Sequence, residues 1–100
     1  PIAMVGMACR YPDAQDADEL WDNLANGRQT ITAYPKSRLE DFKRIRKVNG
    51  PLRRGGFFDS VDGFDPEYFN MPPRVALHMD PYHRMMLEVF IETIEDAGYH

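Results

Sequence analysis

The end of the chain carries the clearest pattern of apolar and polar positions. Asp80 fits a helix N-cap, Pro81 the first helical position and Gly98 the C-terminal stop, so a helix is predicted from Pro81 to Ala97. Apolar residues occupy most of its circumference, which is typical of a helix buried inside a larger protein. The polar positions form one stripe at helical spacing, made of Arg84, Glu88, Glu92 and Glu95.

The beginning of the chain is a short apolar run, Ile2–Ala8, that is interrupted only by Gly6. Its length and β-branched content predict a buried strand, with Gly6 at a place where another backbone comes close. A lone strand has no partner for its backbone groups, and the apolar last helix has little to pack against. These two elements therefore predict an α/β protein that is incomplete without further residues.

A second helix is predicted after Asp16, which fits an N-cap, with Glu19 completing a capping box. Gly27 fits the C-terminal stop, so this helix has a length of about ten residues. Its apolar face consists of Leu20, Trp21 and Leu24.

The middle of the chain, from Arg28 to Ser60, is predicted to be irregular because it contains several turn signals. Further on, Asp65 and Pro66 fit the cap and first position of a helical turn, and Pro72-Pro73 can begin a short helix. The aromatic residues around this turn indicate that a loop-rich region packs on apolar partners. The turn signals are Tyr34-Pro35, Asn49-Gly50-Pro51 and Gly55-Gly56, and the aromatics are Phe57, Phe58, Phe64, Tyr68 and Phe69.

Composition narrows the class of protein. Hydrophobic residues make up 43% and charged residues 28% of the chain, which is ordinary for a globular protein, and the net charge of −4 argues against nucleic acid as a partner. No apolar run approaches the roughly 20 residues of a membrane span, and no secretory leader is visible. Cys9 is the single cysteine and has no partner for an internal disulfide, which favours a reducing compartment, so we expect the cytoplasm.

The charge is segregated along the chain. Eight of the twelve basic residues and two of the sixteen acidic ones lie between Lys36 and Arg54, so this segment carries +6 and the remainder −10. The basic residues of this segment are Lys36, Arg38, Lys43, Arg44, Arg46, Lys47, Arg53 and Arg54.

Two sets of residues invite a chemical role. Cys9 could be a nucleophile, but it has no histidine near it in sequence and is better interpreted as a structural thiol. His78, Asp80 and His83 match no common zinc spacing, and Asp80 is better explained as a helix cap. The sequence therefore predicts no catalytic, cofactor-binding or metal-binding residue within the chain.

Six phrases spread over the chain carry a further signal: Ile2–Pro12, Glu19–Arg28, Tyr34–Arg38, Gly55–Asp59, Phe64–Phe69, and Met79–Arg84 with Glu95–Tyr99. In this order they resemble the start of the ketosynthase (β-ketoacyl synthase) domains of polyketide synthases. Each phrase alone is weak, but together they are specific. The resemblance implies that residues 1–100 are the N-terminal portion of a single β-ketoacyl synthase domain. The fold it implies is α/β, namely the first strand, covering helices and long loops of a thiolase-like fold that downstream residues complete.

The resemblance also implies a function. Ketosynthases of the polyketide or fatty-acid type condense an acyl thioester with a malonyl-type extender, using phosphopantetheine-tethered substrates on an acyl carrier protein. Their nucleophilic cysteine and two histidines lie downstream of the final phrase, so the chain alone is expected to be inactive. The implied partners are the remainder of the domain, the carrier protein and, for the parent, a second identical subunit; no nucleic acid and no membrane are expected.

Carrier helices are acidic, so the basic segment is a candidate contact surface for the carrier protein. The alternative is a solvated loop that binds nothing. The candidate contact residues are Arg44, Arg46, Lys47, Arg53 and Arg54.

Two departures from the family phrases leave other functions open. Tyr82 stands where a glutamine is usual, and Val75 stands where a glutamate is usual. A non-catalytic ketosynthase-like remnant that serves as a docking or scaffolding piece is one alternative. An independent small fold with a new role is the other.

Overall fold

The computed structural model describes residues 1–47 and 50–100, which form two compact units. The central unit is Arg10–Ser60, and the terminal unit joins Pro1–Cys9 to Val61–His100. The central unit contains α1 (Ala17–Ala25), β1 (Ile31–Thr32), α2 (Lys36–Ile45) and β2 (Gly55–Gly56). The terminal unit contains α3 (Pro73–His78) and α4 (Pro81–Asp96).

Helix α1 begins as its sequence predicts. The Asp16 carboxylate accepts a hydrogen bond from the Glu19 N–H at 2.8 Å, and the Glu19 carboxylate accepts one from the Gln15 N–H at 2.7 Å. These bonds satisfy backbone donors that a helix start leaves without partners. The predicted apolar face is not buried, however, because Trp21 is 68% exposed and Leu24 is 65% exposed.

The region from Arg28 to Ser60 is more regular than predicted. β1 and β2 pair antiparallel, with Ile31 opposite Gly56 and Thr32 opposite Gly55. Helix α2 lies between them and was not predicted, because Pro35 at its N-cap provides no side-chain hydrogen bond. The predicted turn at Asn49-Gly50-Pro51 includes Asn49, which lies outside the described residues.

Helix α2 is held to the central unit by an aromatic cluster. The Tyr34 ring lies 5.1 Å from the Phe42 ring and 5.0 Å from the Phe57 ring, measured between centroids. Edge and tilted arrangements at this distance are the favoured geometries for aromatic pairs. The contact joins α2 to the residues that follow β2.

Helix α4 matches the prediction at both ends. The Asp80 carboxylate accepts from the Tyr82 N–H at 2.8 Å, and Pro81 occupies the first helical position. Gly98 follows the C-cap with φ 88°, a left-handed conformation that disfavours a side chain. The short helix α3 and the turn at Asp65 and Pro66 are also confirmed, since Asp65 accepts from the Glu67 N–H at 3.0 Å.

The N-terminal segment runs beside the end of α4. A Cβ placed on Gly6 would collide with the carbonyl oxygen of Thr93 and come within 2.9 Å of the Ala97 Cβ. The Met7 N–H donates to the Asp96 carboxylate at 2.8 Å. The predicted close approach of another backbone at Gly6 is therefore confirmed.

The predicted strand at Ile2–Ala8 is not formed in the described part of the chain. A strand requires a neighbour to share its backbone hydrogen bonds, and β1 and β2 pair with each other. The apolar side chains of this run are exposed, up to 98% for Ile2. The segment has the composition of a buried strand without the sheet that would bury it.

Burial is sparse among the described residues. Ala14 and Ala76 are the buried apolar residues, Asn23 is the buried polar one, and no residue of α4 is buried. The aromatic residues of the terminal unit pack with one another, since the Phe69 ring lies 5.1 Å from both Phe64 and Tyr68. The described residues thus pack in local clusters within each unit.

Candidate functional site

The end of α2 combines an apolar and a basic surface. Ile45 is the last residue of the helix and is 81% exposed. Arg46 follows as the C-cap, where its N–H donates to the Phe42 carbonyl at 3.0 Å, and Lys47 is exposed next to it. We call Ile45, Arg46 and Lys47 the α2 exit. Cations here are favourable because the carbonyl end of a helix carries partial negative charge.

The structure separates the five candidate carrier-contact residues by what they bind. The Arg44 guanidinium lies 4.0 Å from the Asp41 carboxylate, and both side chains are highly exposed. Arg54 donates to the Ile31 carbonyl at 2.8 Å, so it braces β1 from across the sheet. Arg46, Lys47 and Arg53 are exposed. All five lie in the central unit, and among them Arg54 is the residue whose side chain is hydrogen-bonded to a distant part of the sequence.

Arg38, at the other end of the basic segment, also has a structural role. Its guanidinium donates to the Phe58 carbonyl at 3.0 Å and lies 5.5 Å from the Tyr34 ring centroid. The neighbouring Ser37 hydroxyl donates to the Asp59 carbonyl at 2.7 Å. The start of α2 is therefore fixed to the residues after β2, and these cations are not all available to a partner.

A polar depression of about 420 Å³ lies beside α1. At its base the buried Asn23 donates to the Asp13 carbonyl at 2.9 Å and accepts from the Arg28 guanidinium at 3.3 Å. Sequence reasoning missed Asn23 because it expected the apolar residues of α1 to be the buried ones. The Asn23 amide instead links Asp13, in the loop before α1, to Arg28, three residues beyond the end of the helix. These hydrogen bonds give the lining of the depression a structural role. The lining residues are Asp13, Glu19, Asp22, Asn23, Asn26 and Arg28.

Cys9, His78 and His83 are not brought together as a chemical centre. Cys9 is half-buried, and Asp80 caps α4 as its position predicted. Within residues 1–47 and 50–100, no group of three His, Cys, Asp or Glu side chains is arranged to hold a metal ion. A more apolar depression of about 460 Å³ beside α3 is lined by Arg74, Val75, His78 and Met79.

The helices of the described residues are also too short or too polar to cross a membrane.

Comparison with known proteins decides the family. Residues 1–100 match the family described as "Beta-ketoacyl synthase, N-terminal domain". The chain belongs to this family. The resemblance carried by the six sequence phrases is thereby confirmed.

The similar curated proteins are polyketide synthases. The chain is 44% identical to polyketide synthase PksL of Bacillus subtilis over 98% of its own length and 2% of that protein. It is 43% identical to mycoketide-CoA synthase of Mycobacterium tuberculosis, again covering 98% of the chain and 2% of that protein. The chain thus spans a small part of the relatives it matches.

The solved structures show the same relationship for the fold. The ketosynthase from module 6 of the bacillaene synthase of Bacillus subtilis aligns with a TM-score of 0.82 and 42% identity. The alignment covers 98% of this chain and 17% of that ketosynthase. The chain therefore has the fold of the N-terminal part of a thiolase-like ketosynthase, in which helices and loops predominate.

Proposed function

We propose that this chain is the N-terminal portion of a single β-ketoacyl synthase domain that catalyses decarboxylative Claisen condensation in a polyketide synthase. The observation that carries the proposal is the match over the full length of the chain, in sequence and in backbone geometry, to ketosynthases. The substrates are an acyl thioester and a malonyl-type thioester on a carrier protein. The proposed location is the cytoplasm.

In the proposed reaction, a cysteine thiolate takes the acyl group and releases the carrier thiol. The extender then loses CO₂, and its carbanion attacks the acyl-cysteine thioester, which frees the cysteine and forms a 3-oxoacyl thioester. By family resemblance the cysteine and two assisting histidines lie downstream of Tyr99. The chain contributes helices and loops that support the site, and by itself it is inactive.

The exposed apolar surface of α4 supports a role within a larger domain. Tyr82, Met86 and Phe90 follow one another at four-residue spacing and are all exposed, Phe90 to 63%. A contiguous apolar stripe of this kind indicates a surface that a partner covers. In the proposal that partner is the remainder of the ketosynthase domain, and the complete domain is a homodimer that also binds the carrier protein.

The test is a condensation assay on the ketosynthase polypeptide that contains these residues. With an acyl carrier and a malonyl carrier as substrates, we expect CO₂ release and a 3-oxoacyl product in equal amounts. The 100-residue chain, assayed in parallel, is expected to give neither product. CO₂ release without a condensed product, or no reaction with any acyl chain, would contradict the proposal.

The second candidate is a non-catalytic scaffolding piece, and two exposed side chains favour it. Val75 is 47% exposed and Tyr82 is 72% exposed, at positions where the family phrases have polar residues. Apolar replacements at exposed positions are typical of a surface that has gained a partner. The same assay discriminates, because a scaffold binds the synthase but condenses nothing.

A further inference from the structure

The α2 exit carries two adjacent exposed cations, Arg46 and Lys47. Within residues 1–47 and 50–100, no carboxylate pairs with Arg46 or Lys47. By contrast, Lys43 and Arg44 each lie 4.0 Å from an acidic residue one helical turn earlier. The end of α2 therefore carries two adjacent positive charges that no described carboxylate offsets.

The exit also presents an apolar side chain among these cations. Ile45 precedes Arg46 directly and keeps 81% of its surface exposed. Removing an apolar side chain of this size from water is favourable, so a partner that covers Ile45 gains binding free energy. An apolar contact with a charged rim is the usual anatomy of a protein interface. This combination favours a protein partner over a small anion, because a small anion would not bury the isoleucine side chain.

We infer that the α2 exit is a docking surface for an acidic protein, which covers Ile45 and pairs carboxylates with Arg46 and Lys47. The inference rests on the proposed function for the identity of the partner, which is the acyl carrier protein. Charge complementarity supports this occupant, since the Lys36–Arg54 segment carries +6 and the remainder of the chain −10. An acidic partner is attracted to this segment and repelled by the rest of the chain.

The first experiment measures carrier binding to the 100-residue chain and to two matched variants. Lys47→Glu reverses a charge at the exit, and Lys36→Glu makes the same change at the first residue of α2, about 13 Å away along the helix. We expect Lys47→Glu to weaken carrier binding by about five- to tenfold at low salt, and Lys36→Glu by less than about twofold. Raising the salt to about 0.5 M is expected to remove most of this difference.

A third variant tests the apolar contact. Ile45→Ser keeps the charges and is expected to weaken binding by about fivefold at every salt concentration, because the lost contact is not electrostatic. Equal weakening by Lys47→Glu and Lys36→Glu would show attraction to net charge alone and would overturn the inference. If neither Lys47→Glu nor Ile45→Ser weakened carrier binding, the inference would also be overturned.

Condensation assays on the ketosynthase polypeptide distinguish an error in this inference from an error in the proposed function. Carrier-free acyl and malonyl thioesters report condensation alone, and we expect Lys47→Glu to leave that rate unchanged. With carrier-bound substrates the same variant is expected to raise KM about fivefold at constant kcat. An unchanged KM with working condensation refutes docking at the exit, whereas no condensation with either substrate refutes the proposed function. If Lys47→Glu instead lowers the thermal stability of the polypeptide, the exit is covered by the domain itself and docking is refuted.

Discussion

At the scale of single residues, Gly6 is the point where the N-terminal segment meets α4. The hydrogen atom in place of a side chain lets this segment approach the Thr93 carbonyl and the Ala97 Cβ. The adjacent Met7 N–H can then reach the Asp96 carboxylate. Gly6 thus matters for the space it leaves and not for an unusual backbone conformation.

We expect Gly6→Ala to separate the N-terminal segment from α4, because the new methyl group meets backbone atoms that cannot move aside. The protection of the Met7 amide against hydrogen exchange should fall about tenfold to a hundredfold. Gly63→Ala is the matched control, since a Cβ there meets nothing within 4 Å. Equal loss of protection in both variants would contradict this account of Gly6.

At the scale of elements, the sequence predicted the helix starts that short-range hydrogen bonds determine. The caps at Asp16 and Asp80 were predicted because each side chain reaches a backbone N–H two or three residues away. Helix α2 has no capping side chain and was not predicted. The features of the sequence that are typical of a helix there are the three-residue spacing of Leu39 and Phe42 and two acidic-basic pairs at the same spacing. The strand predicted at Ile2–Ala8 depends on a distant neighbour, which the pattern of a single segment does not specify.

In the candidate site, too, local features were predicted from the sequence and long-range contacts were not. Its positive charge was evident from the sequence, because it follows directly from the numbers of basic and acidic residues in the segment. The roles of Arg54 and Arg38 were not evident, since their carbonyl partners on Ile31 and Phe58 lie 23 and 20 residues away in sequence. Removing Arg54 from the candidate contact residues therefore required the structure.

We expect Asp16→Ala to destabilise α1 by about 1 kcal/mol, because the Glu19 N–H loses its acceptor. The measurement is the exchange rate of the Glu19 amide together with helical circular dichroism. Asp16→Asn is the control, since asparagine is an equally good N-cap and should preserve both readouts. A loss caused equally by asparagine would indicate that charge, and not the hydrogen bond, stabilises the helix start.

At the scale of the whole molecule, apolar side chains remain exposed on both units. Trp21 and Leu24 on α1, and the stripe of Tyr82, Met86 and Phe90 on α4, are all exposed. Secondary structure is nevertheless well defined, since both helices have side-chain caps at their starts. Local hydrogen bonds specify these helices, while their burial depends on additional polypeptide.

We expect the 100-residue chain alone to bind the dye ANS and to self-associate through the α4 stripe. Phe90→Lys should lower ANS fluorescence roughly twofold and shift sedimentation towards the monomer. Glu95→Lys, a charge change on the polar stripe of α4, should alter neither readout by a comparable amount. Self-association that is unaffected by Phe90→Lys would place the exposed apolar contact elsewhere.

The bond between Met7 and Asp96 has a consequence for synthesis on the ribosome, since its two residues are 89 positions apart in the chain. At about 5–20 residues per second, Met7 emerges roughly 4–18 seconds before its acceptor exists. Closing a loop of this length costs about 4 kcal/mol of chain entropy. The central unit, Arg10–Ser60, lies wholly within that loop and can form during the wait. The segment around Met7 therefore stays without this partner, and accessible to chaperones, until α4 has been translated, and formation of the terminal unit reports that translation has passed Asp96.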